Sequence, residues 1–194
     1  MISHRDLVRV WERLFRRAAL QLSMSEGFHP KAKMIFPSAL GLGIDGLSEI
    51  MEVEIEEQAD VADLRRRLEP QCPPGLQILE ISAPQPGAPK PQLVQTTYEV
   101  VVPADRQASA AEAISRLMSQ DPWLLHREGR NEPIDVRADL GELSIDTARG
   151  VLSMKIRASR TASVRPREVL EAVGLGDLEQ HGCHLTRTHV ELNT

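Results

Sequence analysis

Cysteine is scarce in this chain, which has 194 residues and only two cysteines, Cys72 and Cys183. They lie far apart and form no CxxC spacing, so neither a zinc site nor a cysteine-ligated iron–sulfur cluster is predicted within the chain. Long apolar runs are also missing. No segment approaches the roughly 18 apolar residues that span a bilayer, and the N-terminus lacks the apolar stretch of a signal peptide. We therefore expect a cytoplasmic protein with two unpaired thiols and no membrane partner.

Other signatures of bound groups are absent too. Gly41, Gly43 and Gly46 do not form a GxGxxG motif. His184 and His189 are five residues apart, which on a strand places them on opposite faces, so they do not converge on a metal ion. No Ser-based or Cys-based triad has a local signature. The sequence therefore predicts no metal site and no cofactor in this chain.

Basic and acidic residues are unevenly distributed along the chain. The formal net charge is −5, which argues against a protein that simply coats nucleic acid. Residues 1–33, however, hold seven Arg and Lys residues against three acids, whereas residues 41–80 hold ten acids against three arginines. The average over the chain hides a basic N-terminal end.

A capped amphipathic helix is predicted to begin near His4. The Ser3 hydroxyl can accept a hydrogen bond from the first turn, and Asp6 can reach back as the acidic part of a capping box. Apolar side chains from Leu7 to Ala18 share one face. His4 lies at the edge of that apolar face and is expected to point towards the body of the domain. The opposite face carries a stripe of Arg5, Arg9, Arg13 and Arg16.

The basic residues of this end are candidates for binding phosphate groups, because guanidinium forks match phosphate oxygens. The predicted phosphate contacts are Arg9, Arg13, Arg16, Arg17, Lys31 and Lys33. The alternative is an ordinary solvated helix face, since arginine is a good helix former. The sequence leaves both interpretations open.

The turn after the helix holds Gly27, Phe28, His29 and Pro30. Phe28 can stack on an unpaired base, and with His29 it is predicted to touch the substrate. Gly27 and Pro30, like the Ser3, His4 and Asp6 group, are predicted to be structural. In the alternative interpretation His4 and His29 form an acid and base pair for RNA cleavage without a metal ion.

The order of predicted elements indicates an α+β protein with two tandem ferredoxin-like subdomains. Four prolines within residues 83–96 mark a linker between an N-terminal subdomain at 1–82 and a C-terminal subdomain at 97–194. The C-terminal half is predicted as β-α-β-β-β-α-β. The N-terminal half opens directly on the helix, so the first subdomain is predicted to lack its opening strand.

Three finer predictions concern the N-terminal half. Residues 37–46 are predicted to be a loop because of their glycines. Residues 76–81 are predicted to form a strand. The run from Arg65 to Arg67 is expected on a solvent face.

Several motifs resemble the radical SAM-linked family, a bacterial domain of formerly unknown function. The specific matches are Ser3-His4-Arg5-Asp6-Leu7 and Ser25-Glu26-Gly27-Phe28-His29-Pro30. The resemblance extends to Arg9, residues 16–18, Lys33, Phe36 and the loop leading to Glu49, and it is weaker at residues 98–100, 135–137 and 165–170. The chain departs from the family in having Arg5 at a position that is usually apolar, and Lys31 and Ala32 in place of a common His-Pro.

The resemblance implies a domain that occurs beside, or fused to, a radical SAM protein. A radical SAM cluster needs three closely spaced cysteines, which this chain lacks. We therefore expect a non-catalytic accessory module that presents RNA or another phosphate-bearing substrate to a separate radical SAM enzyme. The alternatives are a metal-independent endoribonuclease using His4 and His29, similar to the paired ferredoxin-like RNA-binding (RAMP) proteins of CRISPR systems, and a protein-docking domain with an acidic partner. No DNA specificity is indicated.

Overall fold

The fold is mixed α+β in the computed structural model, which describes residues 3–85, 87–159 and 163–193. A few residues of the predicted domains lie outside the described residues. They are the first two residues of the N-terminal subdomain, Pro86 of the linker, and residues 160–162 and 194 of the C-terminal subdomain. The α+β class is confirmed, whereas the tandem ferredoxin-like arrangement stays a prediction.

The described residues form four α-helices, α1 (His4–Arg17), α2 (Val61–Leu68), α3 (Ala104–Met118) and α4 (Pro166–Ala172). They form nine strands, β1 (Met34–Ile35), β2 (Asp45–Gly46), β3 (Glu52–Val53), β4 (Gln92–Val101), β5 (Leu124–Leu125), β6 (Ile134–Asp135), β7 (Leu140–Asp146), β8 (Val151–Arg157) and β9 (Thr186–Asn193). None of these four helices combines the length and the apolar character needed to cross a membrane.

The chain divides into two compact units. The first comprises Met1–Leu42 and Ile50–Pro91, and the second comprises Gly43–Glu49 and Gln92–Thr194. The change of unit after Pro91 falls within the predicted linker, and β4 already begins at Gln92. The short segment Gly43–Glu49 was predicted in the first subdomain but lies in the second unit.

The core of the first unit forms under the apolar face of α1. Leu14, Phe15, Ala18, Leu20 and Leu68 are buried together. Around them pack partly buried side chains, including those of Trp11, Met34, Val53, Leu64, Leu76, Ile78 and Ile81. The helical spacing of the apolar residues therefore produces the burial that it predicts.

Regular sheet is sparse in the first unit. β1 pairs with β3 in an antiparallel ribbon, in which Met34 lies opposite Val53. Two isolated bridges, Leu22 with Ile55 and Met24 with Ala32, extend the pairing. The prediction of a strand at residues 76–81 is wrong: this segment has no regular secondary structure, and its apolar side chains pack on the core instead.

The second unit is built on a five-stranded sheet in the order β2-β9-β4-β8-β7. β4 pairs antiparallel with both β8 and β9, and β7 pairs antiparallel with β8. Tyr98, Val100, Leu152 and Met154 are buried at alternating positions of the central strands, as expected when one sheet face carries the core. A small β5–β6 ribbon lies between α3 and β7 in the chain.

The edge strand β2 comes from the segment that was predicted to be a loop. It runs parallel to β9, with Asp45 opposite Thr186 and Gly46 opposite Arg187. The Asp45 amide donates to the Leu185 carbonyl at 3.0 Å, and the Leu47 amide donates to the Arg187 carbonyl at 2.9 Å. The loop prediction failed because these bonds join positions far apart in sequence, which local glycine content does not reveal.

Candidate functional site

The N-terminus of α1 carries the predicted capping box. The Asp6 amide donates to Ser3 Oγ at 3.2 Å, and the Ser3 amide donates to Asp6 Oδ2 at 3.1 Å. The Ser3 hydroxyl also donates to Asp6 Oδ2 at 2.6 Å. These bonds from Ser3, with a smaller contribution from Arg9, lower the pKa of Asp6. The cap prediction is confirmed, and both side chains are occupied in starting the helix.

His4 points towards the body of the first unit, as its place on the helical wheel predicts. Its ring meets Phe36 edge to face, with centroids 5.1 Å apart and an interplanar angle of 89°. The Nδ1 atom is buried and has no hydrogen-bond partner among the described residues. His4 is half-buried by this contact.

The outer face of α1 is a continuous row of exposed arginines. We call this row the arginine ridge, and it consists of Arg5, Arg9, Arg13, Arg16 and Arg17. All five are exposed, whereas Leu14 and Phe15 on the other face are buried. Ridge residues four positions apart are separated by about 6 Å along the helix axis, given a rise of about 1.5 Å per residue.

The predicted phosphate contacts differ in how far the fold already engages them. Arg17 Nη2 donates to the Gln71 carbonyl at 2.6 Å, and Lys33 Nζ lies 3.2 Å from Glu54 Oε1. Arg9 is 3.6 Å from Asp6 in an exposed pair.

Four other cations of this end are not engaged. Their side chains make no hydrogen bond or ion pair with any other described residue; the four are Arg5, Arg13, Arg16 and Lys31. Arg5, Arg13 and Arg16 of the ridge are thus more available to a ligand than Arg9 and Arg17.

A loop over residues 25–31, which we call the GFHP loop, is fixed at its base. The Ser25 amide donates to the Lys31 carbonyl at 2.8 Å, and the Lys31 amide donates to Ser25 Oγ at 3.0 Å. Gly27 has a φ of +118°, a conformation that side chains disfavour. The loop therefore has a fixed stem and a tip that only glycine allows at this position.

The tip of the GFHP loop holds Phe28 fully in solvent. Its relative exposure is 102 %, and its neighbours His29 and Pro30 are also exposed. No hydrogen bond or ring contact joins His29 to His4. The structure thus brings together Ser3, His4 and Asp6 at the helix start, while His29 belongs to the separate GFHP loop.

Comparison with known proteins places the chain in a bacterial family. A family model described as "uncharacterized protein conserved in bacteria (DUF2344)" matches residues 1–166. The chain belongs to the DUF2344 family. No curated protein and no solved structure matches the chain. The DUF2344 match contains the whole arginine ridge and the GFHP loop.

The prediction that Arg67 lies on a solvent face is wrong. Its side chain is 22 % exposed, and it donates to the Ala18 and Ala19 carbonyls at 3.0 and 2.5 Å, where α1 ends. It also bonds both carboxylate oxygens of Glu57 at 3.0 Å. The bonds from Arg67, followed by the Gln21 amide, lower the pKa of Glu57. Arg67 holds the end of the ridge helix.

The buried Arg187 is paired with the partly exposed Glu49 in the second unit, and we call this pair the Glu49–Arg187 clamp. Arg187 is 1 % exposed, and its Nε donates to Glu49 Oε1 at 2.8 Å while its Nη2 bonds the other oxygen. Arg187 also lies beyond the DUF2344 match. Glu49 stood among the resembling residues, but nothing in the sequence signalled its partner.

No group of three or more His, Cys, Asp or Glu residues that could hold a metal ion occurs in the part of the chain that the structure describes. His181 Nδ1 lies 3.0 Å from the Asp177 carbonyl within a short 3₁₀ turn. This contact gives His181 a local structural role.

Proposed function

We propose that this DUF2344 protein is a non-catalytic module that binds RNA, or another phosphate-bearing substrate, and presents it to a separate radical SAM enzyme. The observation that carries the proposal is the arginine ridge, with its five exposed guanidinium groups on one helix face. Arg13 and Arg16 are exposed and unengaged, whereas Arg67 of the same unit is bound within the fold. Exposed arginines without a structural partner are suited to phosphate oxygens.

The spacing of the ridge supports a chain of phosphates as its ligand. Arg5, Arg9 and Arg13 follow one another at about 6 Å along the helix axis, a spacing that lets their side chains follow a polyanionic backbone without reading its bases. The GFHP loop adds Lys31 and the exposed ring of Phe28 within the same unit. Basic side chains together with an exposed aromatic side chain are typical of proteins that bind single-stranded nucleic acid.

The radical SAM part of the proposal rests on the sequence resemblance. The motifs that carry it include the capping box of α1 and the GFHP loop, which lie on either side of the ridge helix in sequence. The chain has two cysteines, so the proposed module leaves the cluster chemistry to its partner.

The proposed architecture is also ferredoxin-like in the second unit. Its main elements follow the order β4, α3, β7, β8, α4 and β9, and the strand order β9-β4-β8-β7 is antiparallel throughout. This β-α-β-β-α-β order supports the ferredoxin-like assignment for that unit. The first unit has too little regular sheet to support it equally.

Salt-dependent RNA binding tests the phosphate proposal. We expect the protein to bind total cellular RNA in a filter-binding assay at low salt, with affinity that falls as salt rises. The slope of the logarithm of the binding constant against the logarithm of the salt concentration is negative. The double variant Arg13→Gln/Arg16→Gln should reduce the magnitude of this salt slope by about 1.4, given about 0.7 per phosphate contact on single strands. Arg149→Gln, an exposed arginine in the β7–β8 turn, is the control and should leave the slope unchanged. Absent or salt-insensitive binding would overturn the proposal.

Co-purification tests the partner. After RNase treatment of the lysate, we expect an affinity-tagged protein to retain a radical SAM enzyme identified by mass spectrometry and by the absorbance of its iron–sulfur cluster. Retention that is lost in Arg13→Gln/Arg16→Gln would instead assign the ridge to protein docking. Retention of no radical SAM enzyme would contradict the accessory role.

The endoribonuclease alternative has a separate test. It requires His4 and His29 to act on one phosphate, and no contact joins them among the described residues. Cleavage of RNA in EDTA that leaves 2′,3′-cyclic phosphate ends and disappears in His29→Ala would replace the binding module by an enzyme. Intact RNA after incubation is the result expected for the module.

A further inference from the structure

Phe28 stands apart from the other aromatic residues of the chain. The sequence has six Phe, Trp and Tyr residues. Phe15, Tyr98 and Trp123 are buried, and Trp11 and Phe36 are half-buried against other side chains. Phe28 has a relative exposure of 102 %, so neither face of its ring is covered by the protein. A ring that stays in water adds no burial energy to the fold, so the fold itself does not account for Phe28.

The GFHP loop holds this ring in a defined place. Its stem is closed by the two hydrogen bonds between Ser25 and Lys31, and the Met24–Ala32 bridge continues below them. Pro30 further restricts the backbone after the tip. A Cβ added at Gly27 would meet nothing within 4 Å, so the tip projects from the surface. Such a tip can enter a narrow gap in a ligand.

We propose that Phe28 inserts between two adjacent unpaired bases of a single-stranded RNA, whose phosphates contact the arginine ridge. This inference rests on the proposed function and names its substrate class. A ring with both faces free can stack on one base above and one below, whereas a ring lying on a sheet offers one face only.

The charge of the N-terminal segment favours RNA over a protein with an apolar pocket. Residues 1–33 hold seven Arg and Lys residues against three acids, and the Lys31 side chain makes no hydrogen bond or ion pair with the described residues. A polyanion is attracted to such a surface. Duplex RNA does not fit the ring, because its bases are already stacked and its deep groove is too narrow for side chains. Single strands present the splayed bases that insertion requires.

The test compares matched ligands and matched variants. The ligands are a 12-nucleotide RNA with an internal 2-aminopurine, the blunt duplex of the same sequence, and inorganic polyphosphate. The variants are Phe28→Ala, Phe28→Leu and Phe28→Trp, with Met24→Ala as the control because Met24 is an exposed apolar residue of the same hairpin. Circular dichroism checks that each variant folds, which the full exposure of Phe28 leads us to expect.

We expect Phe28→Ala and Phe28→Leu to weaken binding of the single strand by about 5- to 100-fold, the range for loss of base stacking. Phe28→Trp should keep the affinity, and Met24→Ala should change it by less than about twofold. Binding to polyphosphate should be equal in all variants. The 2-aminopurine fluorescence should change on binding of the unsubstituted protein and not on binding of Phe28→Leu.

Each contrary result has a distinct meaning. If Phe28→Leu keeps full affinity, or if the duplex binds as tightly as the single strand, base insertion is wrong while a salt-dependent phosphate site survives. Equal weakening of polyphosphate and RNA by Phe28→Ala also rejects insertion. If no ligand binds at low salt, the proposed function itself fails.

Discussion

Two regions of this molecule use arginine in opposite ways. The arginines of the α1 ridge are exposed, and the side chains of Arg13 and Arg16 make no hydrogen bond or ion pair with any other described residue. In the second unit Arg187 is 1 % exposed and is bound by Glu49. The ridge thus has charge available for a ligand, whereas the clamp uses its charge to hold a strand. Net charge or arginine content alone does not separate these two uses.

The difference predicts opposite responses to loss of charge. An exposed arginine contributes little to folding, because ion pairs at the surface are worth about 0 to 1 kcal/mol. A buried charge that loses its partner is strongly destabilising. Substitutions in the two regions should therefore separate stability from ligand binding.

The largest effect is expected for the Glu49–Arg187 clamp. Glu49→Gln removes the carboxylate charge that faces the buried Arg187 and should lower the free energy of unfolding of the second unit by about 2 to 3 kcal/mol, the range for a lost hydrogen bond to a charged group. Urea denaturation in a Trp11→Phe background measures it, because the remaining Trp123 lies in the second unit. The double variant Glu49→Leu/Arg187→Met should recover much of the loss. A change below about 0.5 kcal/mol in Glu49→Gln would show that the clamp is not structural.

Gly46→Ala also tests the Glu49–Arg187 clamp, and its expected effect on stability is smaller. A Cβ at this position would lie 2.7 Å from Glu49 Cγ and 2.8 Å from Glu49 Oε1. Gly46→Ala should therefore displace the carboxylate from Arg187 and lower the stability of the second unit by about 1 to 2 kcal/mol. In a Glu49→Ala background the same substitution should cost much less. Equal costs in the two backgrounds would mean that Gly46 acts independently of the clamp.

In the first unit, Arg67 is an arginine that is bound within the fold, and its partner Glu57 makes the stability of that unit depend on pH. The pKa of Glu57 is lowered in the folded state, so its contribution is present above the unfolded pKa, about 4.5, and is lost as the pH falls through the folded value. We expect Glu57→Gln to be less stable than the unsubstituted protein at pH 7 and to approach it near pH 3.

Urea midpoints of the first unit at both pH values measure this difference. Glu26→Gln is the control, since the Glu26 carboxylate makes no hydrogen bond or ion pair with any residue that the structure describes. A gap between Glu57→Gln and the unsubstituted protein that stays constant with pH would contradict the prediction.

The smallest effect on stability is expected for the ridge itself. Arg13→Gln/Arg16→Gln should change the free energy of unfolding by less than about 0.5 kcal/mol, as is usual for exposed substitutions away from structural contacts. The same urea titration measures it. A loss of 2 kcal/mol or more would show that the ridge, like the clamp, serves the fold.

Local patterns predicted the elements whose causes are local. The capping box, the apolar face of α1 and the exposure of its arginines follow from residues within one helix, and the structure contains all three. In the second unit, the predicted strands and helices occur in their predicted order, but the structure adds β6 (Ile134–Asp135), so the predicted β-α-β-β-β-α-β order lacked one strand between α3 and α4. Three- to four-residue spacings suffice for such features.

The features that sequence missed depend on distant partners. β2 exists because its amides bond to the β9 backbone, and Arg67 is held by carbonyls at the end of a helix about 50 residues earlier. The segment at 76–81 has the apolar content of a strand but packs by its side chains without a pairing partner. No periodicity within these segments distinguishes one outcome from the other.

The parallel pairing of β2 with β9 also sets the order of events on the ribosome. Glu49 and Arg187 are 138 residues apart, so at about 5 to 20 residues per second the segment waits about 7 to 30 s before its partner strand is synthesised. During that interval the segment Gly43–Glu49, which contains β2, has no partner strand to pair with. The second unit therefore cannot be completed until its last strand emerges.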